Sequence, residues 1–161
     1  MENDDKRRVN VRGIIYRDGK IFAQKLTAKD GTSGETAYWC VPGGGLDRRE
    51  GLETGLVREF IEETGVTPQV GRLLFIQQFP SDRAGRDEEL ELFFLIDNVD
   101  DFDEIDLSKT SHGVAEIARY GFIDPKKEHL LPKFLCDIDL IDYCENIRPV
   151  YVAYNFPKDD A

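Results

Sequence analysis

The chain has 161 residues, with 21 Lys and Arg against 32 Asp and Glu, a net charge of −11 at pH 7. That length favours a single domain, expected over residues 1–161 with a core at about 8–157. The acidic balance argues against non-specific binding to nucleic acid or to an anionic membrane, and at first sight against phosphate-rich substrates. No apolar run approaches the ~20 residues of a membrane span. The N-terminal MENDDKRRVN lacks the apolar segment of a signal peptide. Cys40, Cys136 and Cys144 are odd in number and show no CxxC spacing, which points to buried free thiols and a reducing, cytoplasmic compartment.

Asn10–Tyr16 reads as a strand, Asp18-Gly19 as a hairpin turn, and Lys20–Lys25 as the returning strand. Thr27–Thr36 is polar and contains glycine, so a loop is expected. Tyr38–Val41 is a short strand running into Pro42-Gly43-Gly44-Gly45, expected as a turn. Glu50–Thr64 reads as a helix stopped by Gly65. Val70–Phe79 and Glu89–Asp97 are the strongest strand candidates, separated by the polar loop Pro80–Glu88. Arg119–Ile123 is a further strand. Pro132 opens a helix expected to run to Asn146. Pro149–Phe156 reads as a final strand, whose edge could serve a homodimer. The ends, Met1–Lys6 and Lys158–Ala161, are expected to fray. Strands mixed with two helices give an α/β domain.

The ten acidic residues between Asp87 and Asp106 have no Lys or Arg among them, so the rest of the chain nets −1. This stretch reads as a solvated strand-and-loop region. The chemistry lies instead in Gly44–Val66, GGLDRREGLETGLVREFIEETGV. On a helix, Glu59, Glu62 and Glu63 stand at i, i+3 and i+4, within about 100° of arc. Their mutual repulsion costs ~0.2–0.5 kcal/mol per neighbouring pair. Arg58 reaches Glu62 at i+4, but no lysine relieves the rest. Three carboxylates on one helix face suit a hard divalent cation, which takes oxygen ligands. Gly44, just before the helix, leaves a backbone carbonyl free to face such an ion. Gly55 projects onto the carboxylate face and is expected to leave room for ligand or water. Leu56, Val57, Phe60 and Ile61 form a broad apolar face for packing on the sheet. Taken alone, the pattern is equally that of an acidic solvated helix face.

The segment resembles the Nudix hydrolase signature, Gly-x5-Glu-x7-Arg-Glu-U-x-Glu-Glu-x-Gly-U, where U is usually aliphatic. It is met here by Gly44, Glu50, Arg58, Glu59, Phe60, Glu62, Glu63, Gly65 and Val66. Trp39, Pro42 and Gly43 before it, and Glu116-Ile117 with Phe122 after it, also resemble the family. Phe60 departs from the aliphatic preference, and Arg49 stands where glycine is common. The resemblance implies an α/β/α sandwich with a mixed sheet. It also implies Mg²⁺- or Mn²⁺-dependent hydrolysis of a nucleoside diphosphate linked to another moiety, or of a nucleoside triphosphate, by water attack on phosphorus. By position, Glu59, Glu63 and Glu62, with the Gly44 carbonyl, would hold the metal. Glu62 would also orient and deprotonate water. Arg58 would orient the carboxylates, Glu50 would support the loop–helix turn, and Glu116 would aid catalysis from its own segment. His112, in the same region, is a further general acid or base candidate. Arg83 and Arg86 are candidates for phosphate contact. Trp39, Tyr38 and Phe79 fit core packing better than base stacking. The partner implied is a small nucleotide rather than nucleic acid or membrane. The competing readings are an RNA 5′-pyrophosphohydrolase and a non-catalytic nucleotide-sensing module.

Overall fold

Segments rich in Val, Ile and Phe build the strands, and the one long helix falls where the apolar period changes from 2 to 3.6. The computed structural model describes residues 6–29 and 34–157, so the ends expected to fray, Met1–Lys6 and Lys158–Ala161, lie outside it apart from Lys6. The described elements are β1 (Arg7–Ile14), β2 (Tyr16–Arg17), β3 (Lys20–Leu26), β4 (Trp39–Cys40), β5 (Gly43–Gly45), α1 (Leu52–Thr64), β6 (Val70–Pro80), β7 (Glu88–Ile96), α2 (Gly113–Glu116), β8 (Ile117–Ile123), β9 (Leu130–Leu131), α3 (Phe134–Asp137), α4 (Leu140–Glu145) and β10 (Tyr151–Tyr154).

The strands form two sheets. One runs β10-β6-β7-β1-β5, and the other β2-β3-β4-β9 with β8 beside β3. Pairing is mixed: β1 lies parallel to β7 and β10 parallel to β6, while β6–β7 and β1–β5 are antiparallel. The α/β architecture with mixed pairing agrees with the sequence reading, with the strands divided between two sheets. Among the described residues no helix is long and apolar enough to cross a membrane.

Two apolar clusters hold these layers. Ile14, Trp39, Phe75 and Phe93 pack with Phe134, Leu135 and Leu140 of the C-terminal helices. Val11, Ile15, Phe22 and Ile96 pack with Leu56 and Phe60 of α1 and with Phe102. Trp39 is thus a core residue, as expected, with the Arg119 guanidinium over its ring at 4.7 Å. The apolar face of α1 is narrower than its sequence indicates, because Ile61 is exposed and only Leu56 and Phe60 of the four are buried.

Three expectations fail on local grounds. Gly43–Gly45 is a strand rather than a turn, pairing Asn10, Val11 and Arg12 with Gly45, Gly44 and Gly43. Gly43 has φ +134°, and a Cβ there would collide with the backbone of Val11, so only glycine permits this close approach. The expected helix from Pro132 to Asn146 breaks into α3 and α4, because the Asp139 side chain accepts from Asp142 N–H at 3.2 Å and starts a new helix. The acidic stretch is not uniformly solvated. Its loop is pinned by buried Phe102 and by Arg17, which meets Asp100 at 2.9 Å and Asp103 at 2.5 Å.

Candidate active site

α1 starts at Gly51 and stops at Gly65, whose left-handed φ of 74° lets its N–H return to the Ile61 carbonyl. Leu56 and Phe60 anchor one side of the helix, which fixes the direction of the other. Arg58 gathers that second side. Its Nε and Nη2 meet Glu50 at 2.8 and 2.9 Å, and its Nη1 meets Glu59 at 2.9 Å and Glu62 at 3.2 Å. Nη2 also donates to the Gly45 carbonyl at 3.0 Å, tying α1 to β5. A guanidinium is suited to this work because its donors leave a rigid plane in fixed directions. Its hydrogen bonds hold the Glu50 carboxyl down at about 2, and Glu50 steadies the turn by accepting from Asp47 N–H at 2.9 Å.

Glu63 is placed differently. It is buried, accepts from Gly43 N–H at 3.1 Å and faces Gln24 Nε2 at 3.4 Å. Burial pushes its carboxyl up to about 7, against the opposing pull of the Gly43 N–H and Arg12. Gly44 lies directly beneath Glu59, where a Cβ would stand 2.5 Å from the carboxylate carbon. Glu59, Glu62, Glu63 and Gly44 therefore share the wall of one cleft of about 700 Å³. Gly55 opens no space for a ligand, contrary to expectation. A Cβ there would run into the Leu46 side chain and the Glu50 carboxylate, so the missing side chain serves internal packing.

α2 completes the wall. His112 Nδ1 lies 3.1 Å from Glu62 Oε2, and its backbone N–H donates to the Glu62 carbonyl. Glu116 is exposed at the cleft mouth, with no ion pair to it among the described residues.

The facing wall comes from the first sheet and was largely missed. Arg8, Asn10 and Arg12 alternate on β1, so they share a face. Asn10 stands opposite Glu91 of β7, and Glu91 opposite Gln77 of β6. Glu89 and Glu91, expected in solvent, are buried. Asn10 Nδ2 donates to Glu89 at 2.8 Å, Ser81 Oγ lies 2.9 Å from Glu89, and Arg12 bridges Glu91 at 3.2 Å and the Gly43 carbonyl at 2.9 Å. The strand-period alternation of charge in Arg8–Arg12 and Glu89–Glu91 was the available signal. Arg83 and Arg86 also line the cleft, as does Tyr38. Among the described residues, six Lys or Arg and six Asp or Glu line it, with His112.

The NUDIX domain model matches residues 6–135, which is most of the chain. The chain belongs to the NUDIX domain family. An ADP-ribose pyrophosphatase of Methanocaldococcus jannaschii is 36% identical over 89 residues, covering 55% of this chain and 50% of that protein. A MutT-like protein of Streptomyces ambofaciens is 41% identical over 66 residues, covering 40% of this chain and 38% of that protein. The chain thus spans half or less of the length of these curated relatives. A Nudix hydrolase of Nitrosomonas europaea has the same fold, with TM-score 0.65 at 20% identity over 86% of this chain and 91% of that one. The E. coli ORF135 protein gives TM-score 0.64 at 22% identity over 89% and 96%.

Nudix hydrolases are generally metal-dependent, and the donor set bears on that. Among the described residues no three acidic, His or Cys side chains converge on a single point. Glu59 and Glu62 are turned onto Arg58, and Glu63 onto Gly43 N–H. The donors are nonetheless all oxygen, anionic and on one wall, which fits a hard divalent cation that keeps part of its water.

Proposed function

We propose that this Nudix chain hydrolyses the pyrophosphate linkage of a nucleoside diphosphate joined to another moiety, with Mg²⁺ or Mn²⁺ as cofactor. The observation that supports it most is the Arg58 clamp, which holds Glu59 and Glu62 against the cleft beside Glu63 and Gly44. Glu59, Glu63 and Glu62, with the Gly44 carbonyl, would hold the cation. The chemistry it supplies when bound is neutralisation of phosphate charge and a lowered pKa for bound water.

The chain's own groups do the rest. Arg58 is a positioning residue, since it acts through the carboxylates. Arg8, Arg12, Arg83 and Arg86 offer charged donors to the phosphates. Glu62 accepts a proton from the attacking water, with His112 at 3.1 Å to share it. The oxygen–phosphorus bond to water forms, the bridging phosphoanhydride bond breaks, and the leaving phosphate departs as an anion. Glu116, at the mouth, is the second candidate for proton transfer. The three free thiols, Cys40, Cys136 and Cys144, suit a reducing cytoplasm.

The test is incubation with Mg²⁺ and a panel of nucleoside diphosphate derivatives, dinucleoside polyphosphates and nucleoside triphosphates, with detection of released phosphates. At least one should turn over, and Glu62→Gln and Glu63→Gln should each lower kcat by about 10²-fold or more. Wild-type rates in both variants would refute the mechanism. Nucleotide binding without turnover of any panel member would replace it by the sensing-module reading.

A further inference from the structure

Sheet pairing leaves β8 with one neighbour. It runs antiparallel to β3, with Ile21 opposite Ile123 and Lys25 opposite Arg119. Among the described residues no strand pairs with its other edge, and no backbone hydrogen bond outside the ladder reaches Ala118–Phe122. In an antiparallel pair every second residue turns its N–H and C=O away from the partner, so this edge offers them to whatever lies alongside. Such edges are normally blunted by proline, by outward lysine or by a covering segment. Ile117–Ile123 contains neither residue. Its one charge, Arg119, is turned onto Trp39 at 4.7 Å and held by Glu35 at 2.7 and 2.8 Å.

A cavity of about 350 Å³ lies along this edge, and Ala118, Arg119, Tyr120, Gly121 and Phe122 all line it. A cavity over one face of a strand meets alternate residues, so five in succession place it edge-on. Its inner wall is aromatic. Phe22 stacks with Tyr120 at 5.1 Å between centroids and meets Phe122 edge-on at 5.5 Å. Opposite, Phe102, Ile105 and Leu107 come from the loop of residues 99–109. That loop carries Asp100, Asp101, Asp103, Glu104 and Asp106, all exposed, and these acids outnumber Lys109 and Arg17 by three.

We propose that this groove is a docking site for an extended, basic segment of a partner protein, which adds to the second sheet as a strand beside β8. Backbone pairing supplies the affinity of such a contact, and alternate side chains supply its selectivity. Apolar side chains of the segment enter against Tyr120, Phe122 and Ile105, and the lysines or arginines between them meet the acidic loop. Charge decides among the occupants. A second copy of this chain would set its own acidic loop against this one, and an acidic segment would meet the same repulsion. The groove uses none of the carboxylates of α1, so this inference stands apart from the hydrolase reading.

The test is fluorescence anisotropy with a labelled eight-residue peptide of alternating valine and lysine, titrated with the full chain. Saturable binding is expected, weakening as ionic strength rises. A peptide of the same composition with its lysines and valines in separate blocks should bind about ten-fold more weakly or less, because it cannot place apolar side chains on one face. Methylating the backbone nitrogens of one alternate set of residues should abolish binding, while methylating the other set should leave it within about two-fold, since only one set faces β8. Asp101→Lys with Glu104→Lys, both outside the cleft, should weaken binding about ten-fold or more at an unchanged Tm. Hydrogen exchange should gain protection in Ile117–Ile123 when peptide is added, and none in Tyr151–Tyr154, an edge strand of the other sheet. No binding of the alternating peptide, equal binding of the alternating and blocked peptides, the same response to both methylation patterns, or wild-type affinity in the double variant would overturn the proposal. Protection of Ile117–Ile123 that rises with the concentration of the chain alone would assign the edge to a second copy and overturn it as well.

Discussion

The three successive glycines of β5 allow activity and stability to be separated by single methyl groups. In Gly44→Ala the new Cβ would stand 2.5 Å from Glu59 Cδ and 2.7 Å from Oε1. That is about 1 Å short of ordinary carbon–carbon contact, so the carboxylate must retreat by about that distance. Glu59 is the far end of a flexible side chain, and it can move at the expense of its 2.9 Å bond to Arg58. One hydrogen bond of this kind contributes about 1 kcal/mol, which lowers Tm by about 2–4 °C in a chain of this length. A 1 Å misplacement at a catalytic group costs about 10²-fold, or about 2.7 kcal/mol in the barrier. Gly44→Ala should therefore fold, unfold within a few degrees of wild type, and lose about two orders of magnitude in kcat. Gly43→Ala is the contrast, because its φ of +134° and its collision with Val11 backbone leave nothing flexible to yield, so it should lose fold stability first. In Gly45→Ala the methyl would displace the Arg8 guanidinium, and the effect should fall on KM. Thermal unfolding and steady-state kinetics on the three variants decide it. A Gly44→Ala protein with wild-type kcat, or one whose activity loss tracks a Tm fall beyond 10 °C, would refute the placement of Glu59.

Further variants probe the surroundings. Gly113→Ala would press a Cβ onto the Glu63 backbone, 3.0 Å from its carbonyl carbon, and 2.7 Å from Thr110 Oγ1, so α2 must move off α1; urea unfolding should show a loss of about 1–3 kcal/mol with unchanged m-value. Gly13→Ala would meet Phe60 Cε2 at 2.7 Å and Ile96 Cγ1 at 3.0 Å and should cost a similar amount. Joined with Phe60→Leu, which restores the usual aliphatic residue, it should cost less than the sum of the two single changes; strict additivity in that cycle would show that Phe60 and Gly13 do not complement each other. Glu35 is held down at about 2 by hydrogen bonds from Arg119, opposed by desolvation and aided by Lys25. Its folded pKa is below the unfolded value of 4.5, so its stabilisation is present above pH 4.5 and is lost as pH falls toward 2. Glu35→Gln should therefore flatten the acid limb of urea midpoint against pH in that window, modestly and less so at high salt, since the pair is exposed. An unaltered acid limb would exclude the pair as a contributor.

The helix and its carboxylates were legible because their geometry is local. Glu59, Glu62 and Glu63 are placed by helical period alone, and Gly65 marks the stop. The reach of Arg58 to Glu62 at i+4 was legible, whereas its contact with Glu50 was not, because Glu50 lies in the turn before the helix. What the sequence hid depends on long-range register. Glu89 and Glu91 look like part of an acidic surface until β7 lies parallel to β1, some 80 residues earlier in the chain, and Asn10 and Arg12 reach them. Gly43–Gly45 looks like a turn because its strand character comes from β1 and not from its own residues. Gly55 was misread for a related reason, since Leu46 and Glu50 fold back to fill the space it leaves.

The net charge of −11 can then be placed. The acids of the Asp100–Asp106 loop are exposed or paired with Arg17, away from the cleft. Two further acids are buried rather than on the surface: Glu89 accepts a hydrogen bond from the Asn10 amide, and Glu91 is the counter-charge to Arg12. Among the described residues the cleft has six Lys or Arg and six Asp or Glu, so it is balanced where the chain as a whole is not. Arg8 and Arg12 stand on β1 and Glu59, Glu62 and Glu63 on α1, although Arg58 lies among those carboxylates, Glu89 is bonded to Asn10 of β1, and Arg12 acts on Glu63. A phosphate entering alone would meet donors on one side and three carboxylates on the other. One divalent cation on the carboxylate side removes that opposition and gives the whole cleft a positive balance. On the proposed function, the acidity of the helix and the affinity for phosphate are therefore two parts of one arrangement. The basic wall selects the anion, and the acidic wall makes its hydrolysis conditional on metal.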